Sequence, residues 1–215
     1  MNEVNWLFSD FPAKVAEEVA RAKTTRVLKR GDFLYRAGET ATGIYYVRRG
    51  LVGLIVATAS GNEHLVRLFK SGQHLGHRSL FAREPFHASA IALEETEIIG
   101  IPRATVIHLV EGSPQFALKM LETLARELKR AEMRGVSLSE KDVTARVAEA
   151  VLYLQEIHPN HQWTRREIAE FCGSTTPTVI RTLARFEQDG VIAQSGRKIE
   201  VRDRQRLVDL AAVDS

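Results

Sequence analysis

Residues 164–190 carry basic and hydroxyl side chains at spacings that suit contacts with the phosphates and base edges of DNA. Thr164 and Glu167 have the spacing of a capping box, in which two side chains satisfy the unpaired N–H groups that begin a helix. Gly173 suits a tight turn, because glycine adopts left-handed backbone angles without a Cβ clash. Thr175 can then cap a second helix. The pattern predicts two helices joined by a short turn.

The second of these helices has an apolar face and a basic face. Val179, Leu183 and Phe186 recur at helical spacing and are expected to be buried, whereas Arg181 and Arg185 point away from them. A helix-turn-helix inserts such a helix into the major groove of DNA. The alternative is an ordinary helical hairpin, because arginine is also common on solvated helix faces. The combination of capping box, turn and periodic core favours the helix-turn-helix.

Different residues of this region are expected to read bases and to bind phosphates. We expect Arg181 to read a base, because the planar arginine fork matches O6 and N7 of guanine. Phosphate contacts position a protein without reading sequence, and we assign them to Arg165, Arg197 and Lys198. The expected DNA-binding set is completed by residues close to bases or phosphates, namely Thr175, Thr176, Thr178 and Arg185.

The composition is that of a soluble globular protein with room for two modest domains, at 215 residues, 44% hydrophobic and 27% charged. The net charge is only +3, so any contact with nucleic acid must come from a local basic patch. The single cysteine, Cys172, excludes an intrachain disulfide and fits a reducing compartment, with the cytoplasm as the expected location. No apolar run approaches the roughly 20 residues of a membrane span, and the N-terminus lacks a signal-peptide pattern. No membrane partner is expected.

Between residues 26 and 102, short β-rich runs alternate with turn glycines, which predicts an antiparallel roll or barrel. The predicted strands cover residues 27–28, 33–35, 44–47, 51–56, 65–69, 90–93 and 98–101. A packing helix is expected before them, from Trp6 to Ala22, with Phe8, Phe11, Val15 and Val19 on one side. Residues 76–89 break the strand pattern. They are rich in histidine and arginine and suit a single helical turn over residues 78–82.

The residues that follow residue 113 return to a helical period and form an a/d seam, in which apolar positions alternate in steps of four and three. This seam predicts one strand of a two-stranded coiled coil, and its members are Ala117, Leu121, Leu124, Leu128 and Ala131. The alternative is a helix packed on its own domain, because Phe116 and Met120 form a second apolar side, and both interpretations can hold. Residues 135–139 are predicted as an interruption and hinge. A helix over 142–157, the helix-turn-helix, a small hairpin around residues 191–201 and a closing helix over 202–213 complete the prediction.

Three motifs in this order resemble the CRP/FNR family of bacterial transcription regulators. They are G-D-F-L-Y-R-A-G-E with I-Y-Y-V-R-R-G in residues 31–50, D-V-T-A-R-V in residues 142–147, and T-R-R-E-I-A-E-F-C-G in residues 164–173. The resemblance covers nearly the whole chain. It implies an α+β fold with a jelly-roll-like sensor β-roll (1–112), a dimerisation helix and hinge (113–139) and a winged helix-turn-helix domain (140–215). It also implies a homodimer that binds a palindromic operator in double-stranded DNA and contacts RNA polymerase.

The best-known members of this family bind cyclic AMP through a cassette of a glycine, a glutamate, an arginine and a serine. The resemblance places the glycine at Gly76 and the other three positions at His77, His87 and Ala88, with Ser89 one place beyond. Imidazole lacks the fork that pairs a phosphate bidentately, and alanine lacks a hydroxyl. Cyclic AMP is therefore not expected to bind in the usual mode.

Two effector hypotheses remain from the sequence: a small anionic effector, or no effector. The anion would lie among Gly76, His77, Arg78, Ser79, His87, Ala88 and Ser89. Haem or another metal, used by the gas-sensing branches of the family, is disfavoured, and no cofactor is expected. A rival function is a cyclic-nucleotide-binding module that acts on a protein partner, but it leaves the basic second helix unexplained. No enzyme is expected, because no nucleophile–base pair, metal-ligand spacing or phosphate-binding glycine loop is present.

Overall fold

The computed structural model describes residues 13–58, 61 and 63–212. This part of the chain divides into two compact units. The first comprises the residues up to Ala57 together with Arg67–Leu128, and the second comprises Thr58–Val66 and the chain from Lys129 onward. Within the described residues, every helix is too short or too polar to cross a bilayer.

The first unit is built on two four-stranded sheets. Its elements in chain order are α1 (Ala13–Ala22), β1 (Thr24–Leu28), β2 (Phe33–Tyr35), β3 (Gly43–Arg49), β4 (Leu51–Ala57), β5 (Glu63–Lys70), β6 (His74–Leu75), α2 (His77–Ala82), β7 (Ser89–Ala92), β8 (Thr96–Pro102) and α3 (Arg103–Gly112). The strand orders are β1-β8-β3-β6 and β2-β7-β4-β5. The pairs β1–β8, β3–β8, β3–β6, β2–β7 and β4–β7 are antiparallel.

Apolar side chains from both sheets and from the helices form the core of this unit. Val47, Leu51, Leu75, Leu80 and Val106 are fully buried. The antiparallel roll that the sequence predicts is confirmed, because the strands pair antiparallel in two sheets that share this core. Val15 and Val19 of α1 are buried as well, whereas the predicted residues Trp6, Phe8 and Phe11 lie outside the described residues.

The second unit is mainly helical and carries a small hairpin. It contains α5 (Val143–Ile157), α6 (Arg165–Cys172), α7 (Thr176–Gln188), β9 (Ile192–Ser195), β10 (Lys198–Val201) and α8 (Arg204–Ala211). Strands β9 and β10 pair antiparallel and form the predicted wing. Asp142 and Asp203 cap α5 and α8, since their side chains accept from the backbone N–H groups of Ala145 and Arg206 at 2.7 and 2.9 Å.

The long helix α4 (Pro114–Glu140) continues through residues 135–139, so the predicted interruption there is wrong. A glycine inside a helix costs only about 1 kcal/mol, which other contacts of the helix can offset. Ser137 donates to the carboxylate of Glu149 on α5, and the hydroxyl of Ser139 donates to the carbonyl of Val136 at 3.0 Å. Helix α3, which the sequence analysis left unassigned, follows Pro102 directly.

A buried polar cluster joins α2, β5 and β6 to α4 within the first unit. The carboxylate of Glu127 pairs with Nε2 of His77 at 2.8 Å and with the guanidinium of Arg67. The ring of His74 lies edge-on to the ring of His77, with 4.8 Å between centroids. His77 is only 2% exposed, so its hydrogen bond with the Glu127 carboxylate is largely removed from water.

Burial, hydrogen bonds and neighbouring charges shift the pKa values of Glu127 and His74. Burial favours the neutral carboxyl of Glu127, but the hydrogen bonds from His77 and Arg67 outweigh it, and its pKa falls to about 2. Burial and the neighbouring His77 lower the pKa of His74 to about 4. Between pH 6.5 and 4, the unfolded chain therefore binds a proton at His74 that the folded chain does not bind. Between pH 4.5 and 2 the same holds for Glu127, so stability falls as the solution becomes acidic through both windows.

The substitution Glu127→Gln is expected to lower the free energy of unfolding at pH 7 by about 1 to 3 kcal/mol, because charge-assisted hydrogen bonds to a buried group are lost. It should also remove part of the pH dependence between pH 4.5 and 2. Urea unfolding across a pH series, at one fixed protein concentration, measures both effects.

The matched control for this variant is Glu122→Gln on the same helix. Glu122 is half-exposed and pairs with Arg126 at 3.7 Å, an exposed helical pair worth less than about 0.5 kcal/mol. Equal losses of stability in the two variants, with parallel pH profiles, would show that the buried cluster contributes nothing.

Candidate DNA-binding surface

Helices α6 and α7 form the helix-turn-helix that the sequence predicts. The hydroxyl of Thr164 accepts from the N–H of Glu167 at 3.1 Å, and the carboxylate of Glu167 accepts from the N–H of Thr164 at 2.8 Å, which completes the capping box. Gly173 ends α6 in the left-handed conformation, at φ 64°. The hydroxyl of Thr175 accepts from the N–H of Thr178 at 3.4 Å and caps α7.

The inner faces of the two helices are apolar and buried. Ile168 and Phe171 of α6 pack in the core of the second unit, as do Val179, Leu183 and Phe186 of α7. These side chains recur at three- and four-residue steps, so they occupy one stripe of each helix. Burial of this stripe turns the opposite side of α7 outward.

The outward side of α7 presents a basic and polar surface in which one arginine is held by the helix itself. Pro177, Arg181 and Arg185 are exposed. Arg181 donates to the hydroxyl of Thr178 at 3.1 Å, and that hydroxyl lies 2.9 Å from the hydroxyl of Thr175. Thr176 is partly buried beside them. This arrangement orients the Arg181 guanidinium before any DNA is present, which reduces the rotamer entropy lost on binding.

Two arginines hold the end of α6, and the sequence analysis missed both. Arg134 of α4 donates to the carbonyl of Phe171, and its guanidinium lies 4.2 Å from the centre of the Phe171 ring. Arg146 of α5 donates to the carbonyl of Cys172 at 3.0 Å and to that of Lys141 at 2.7 Å. The last carbonyls of a helix lack intrahelical partners, so these bonds stabilise the turn. Arg146 lies within the D-V-T-A-R-V motif, which was a usable signal; no local pattern marks Arg134.

A side-chain network joins the wing to both helices. Arg165 of α6 donates to the side-chain oxygen of Gln194 at 2.6 Å and to the wing carbonyls of Gly196 and Arg197 at 3.2 and 3.4 Å. Gln194 donates in turn to the carboxylate of Glu187 on α7, at 2.7 Å from its backbone and 2.9 Å from its side chain. The Arg165 guanidinium is thus directed at the wing, and burial lowers its pKa.

The residues expected around an effector do not converge on one point. His77 is directed at Glu127 of α4 and is buried. Arg78 is half-exposed and pairs with Glu84 at 3.1 Å, and its guanidinium lies 3.3 Å from Nδ1 of His87. Burial and the charge of Arg78 lower the pKa of His87. The structure therefore brings Arg78 and His87 together and points His77 elsewhere.

The remaining residues of that expected cluster have structural contacts. Gly76 precedes α2 at φ 87°, and a Cβ there would meet the carbonyl oxygen of Gly43 at 3.2 Å. The hydroxyl of Ser89 accepts from the N–H of Ala37 at 3.0 Å. Ser79 and Ala88 are buried. Among the described residues, no group of three or more histidine, cysteine, aspartate or glutamate side chains is arranged to hold a metal ion.

Helix α4 exposes an apolar stripe in the first unit. The stripe runs in steps of three, four and three, with members Leu118, Leu121, Ala125 and Leu128, and its leucines are about 60% exposed. Of the predicted seam, Leu121, Leu128 and Ala131 are exposed, but Ala117 and Leu124 are partly buried. The buried residues Phe116 and Met120 draw the intervening side of α4 into the unit. The exposed seam is thus rotated toward Leu118 and Ala125.

Both halves of the chain match known domain families. Residues 25–113 match the cyclic nucleotide-binding domain, and residues 145–210 match the Crp-like helix-turn-helix domain. The Cyclic AMP receptor protein of Thermus thermophilus is 30% identical over 188 residues, which are 86% of this chain and 87% of that protein. The Transcriptional activator protein anr of Pseudomonas aeruginosa is 28% identical over 198 residues, 88% of this chain and 81% of that protein.

A solved structure has the same fold over most of this chain. FixK2 from Bradyrhizobium japonicum superposes with a TM-score of 0.80 at 26% identity, over 90% of this chain and 99% of that one. Two matched domains in the same order, and a relative at 30% identity over most of both chains, agree with the helix-turn-helix and wing described above. The chain belongs to the CRP/FNR family of bacterial transcription regulators.

Proposed function

We propose that this regulator binds a palindromic DNA operator as a homodimer and reads each half-site with Arg181. The observation that carries the proposal is the outward face of α7, where the Arg181 guanidinium donates to the Thr178 hydroxyl at 3.1 Å. The opposite face of the same helix is buried. An arginine fixed in this way suits a bidentate contact with O6 and N7 of guanine. Selection of bound sequences from a random DNA pool tests it, because a palindromic consensus with a required guanine in each half-site is expected.

The exposed stripe on α4 supports the homodimer. Leu118, Leu121, Ala125 and Leu128 have the heptad spacing with which two helices pack knobs into holes. A second copy of the same helix offers an identical apolar stripe, as a two-fold interface requires. Two recognition helices can then meet two half-sites about 34 Å apart.

The wing supports phosphate binding through two of its side chains. Arg197 lies in the turn between β9 and β10, and Lys198 is the first residue of β10; both are exposed. Arg165, a predicted phosphate contact, donates to the carbonyls of this turn. We assign Arg165 the role of positioning the wing and leave the phosphate contacts to Arg197 and Lys198. RNA polymerase as a further partner and the cytoplasm as the location belong to the same proposal.

Cyclic AMP in the usual mode is not part of the proposed mechanism. His77, at the position of the ribose acceptor, is engaged with Glu127, and Ala88 offers no hydroxyl. His87 stands where an arginine fork holds the phosphate and is paired with Arg78. The relative from Thermus thermophilus is named for cyclic AMP, so a titration of this chain with cyclic AMP tests this part of the mechanism.

The substitutions Leu121→Glu and Leu128→Glu together are expected to produce monomers and to abolish operator binding. Charges in the seam are repelled by their copies across the two-fold axis, and a single helix-turn-helix loses half of its contacts. Light scattering measures the mass, and a mobility-shift titration measures operator affinity. The control is Arg130→Glu, on the exposed polar side of α4. A double variant that stays dimeric would remove the seam from the proposal.

The substitution Arg181→Ala is expected to cost about 1 to 3 kcal/mol on the selected operator and to relax the preference for one guanine in each half-site, because a base-edge contact is lost. Binding to random DNA should barely change. Fluorescence anisotropy with both DNAs and a repeated selection measure these effects. Equal weakening on both DNAs, with no relaxed base position, would make Arg181 a phosphate contact.

The contrasting variant is Lys198→Ala on the wing. Loss of a phosphate contact weakens all sequences alike and lowers the slope of log affinity against log salt by about one. The same anisotropy titrations, repeated over a salt series, measure the slope. A change in base preference in this variant, with an unchanged slope, would move Lys198 from the phosphates to the bases.

Calorimetric titration with cyclic AMP is expected to show no binding at micromolar concentrations, and operator affinity should not depend on it. The matched variant carries His87→Arg and Ala88→Ser, which restore the phosphate-binding pair of the family cassette. This variant should bind cyclic AMP weakly under conditions in which the unmodified chain shows no binding. Tight binding by the unmodified chain, with a gain in operator affinity, would contradict the proposal.

A further inference from the structure

Helix α7 carries a short apolar stripe beside the arginine on its outward side. Pro177, Ile180 and Ala184 recur in steps of three and four, so they lie along one line of the helix. The Ile180 side chain is 50% exposed, Pro177 is exposed and Ala184 is partly buried. We call these three residues the apolar flank. Successive residues of a helix point about 100° apart, which places the apolar flank between the buried stripe and Arg181.

The side chain of Arg181 is directed away from the apolar flank. Its guanidinium donates to the hydroxyl of Thr178 at 3.1 Å, and Thr178 lies on the other side of Arg181 around the helix. Thr182 and Arg185 continue that polar side. The outward surface of α7 is therefore divided into a basic and hydroxyl-bearing part and an apolar part, and Arg181 lies between them.

Ile180 is a stiff apolar group on a surface that is otherwise suited to DNA. A β-branched side chain in a helix has one strongly preferred χ1 rotamer, so its methyl groups keep their position and lose little entropy when they are covered. Single exposed aliphatic residues are ordinary on protein surfaces, and Val208 of α8 is an example at 42% exposed. Ile180 differs in its place, because it directly precedes Arg181 on the helix that faces DNA in this family.

The major groove offers one kind of apolar group to such a surface. Base edges there present hydrogen-bond donors, hydrogen-bond acceptors and the C5-methyl group of thymine. The side chains of Pro177 and Ile180 can neither donate nor accept, so thymine is the base whose edge they suit. Consecutive Cα atoms are about 3.8 Å apart and stacked base pairs about 3.4 Å, which sets the thymine within about two base pairs of the base that Arg181 reads.

We propose that Ile180 determines specificity by packing against the C5-methyl group of a thymine within about two base pairs of the guanine read by Arg181. The inference rests on the proposed function, because it requires α7 to lie in the major groove. It adds a second determinant to each half-site, and this determinant is a methyl group where that of Arg181 is a pair of hydrogen-bond acceptors.

The test removes this methyl group from the DNA. In the operator obtained by selection, deoxyuridine replaces each thymine in turn, at the same position of both half-sites. Fluorescence anisotropy with the full chain measures the affinity. One replacement near the guanine is expected to weaken binding about tenfold, since burial of one methyl-sized group is worth about fourfold in each half-site. Replacement of the more distant thymines should change the affinity less than about twofold.

Three variants show whether Ile180 is the partner of that methyl group. Ile180→Ala should bind the thymine and uridine operators with affinities that agree within about twofold. Ile180→Val keeps a branched side chain and should retain most of the uridine penalty. Val208→Ala, the matched control, shortens an exposed aliphatic side chain on a different helix and should retain the full penalty.

Three outcomes would overturn the inference. They are a consensus without thymine within two base pairs of the guanine, no effect of uridine at any position, and a uridine penalty that persists in Ile180→Ala; if that variant also weakens both operators, the apolar flank lies against the sugar–phosphate backbone. Each of these leaves the proposed function intact, because the palindromic consensus and its guanine are still found. A selection that yields no consensus would reject both.

Discussion

The hydrogen bonds that Arg134 and Arg146 donate to the last carbonyls of α6 are the interactions on which the DNA-binding surface depends. They satisfy groups that the helix cannot pair for itself, at the point where the chain reverses through Gly173. Because the two arginines come from different helices, the end of α6 is fixed from two sides. The start of α7, and with it Arg181, is placed by that turn.

The wing is held by the same kind of contact. Arg165 spans from α6 to the wing carbonyls, and Gln194 continues the connection to Glu187 on α7. Side chains that look like a DNA-binding set in one dimension are thus divided between two tasks. Arg181 and Lys198 are exposed and available to DNA. Arg165 and Gln194 form hydrogen bonds within the unit that hold the wing against α6 and α7.

Local signals made the helix-turn-helix and the strands predictable. A capping box, a left-handed glycine and a three-to-four-residue apolar step act within a few residues of one another, so a sequence shows them directly. The continuation of α4 through Gly135 and the role of Arg134 could not be read in this way, because both depend on partners far away in the chain. The different surroundings of His77 and Arg78, two members of the expected effector cluster, could not be read from the sequence for a related reason. His77 and Arg78 are neighbours in sequence, but successive residues of a helix point about 100° apart, and these two point to different surroundings.

The pairing of His77 with Glu127 has a consequence for how this branch of the family can diverge. The two residues lie on different elements and are shielded from water, so replacing Glu127 alone leaves Nε2 of His77 and the guanidinium of Arg67 without this partner, and replacing His77 alone leaves Glu127 with Arg67 only. A substitution of His77 in the first turn of α2 is therefore expected to require a compensating substitution at Glu127 in α4. Among descendants of this chain, positions 77 and 127 are expected to covary, and a lineage that acquires an acidic residue at 77 should carry a neutral or basic residue at 127.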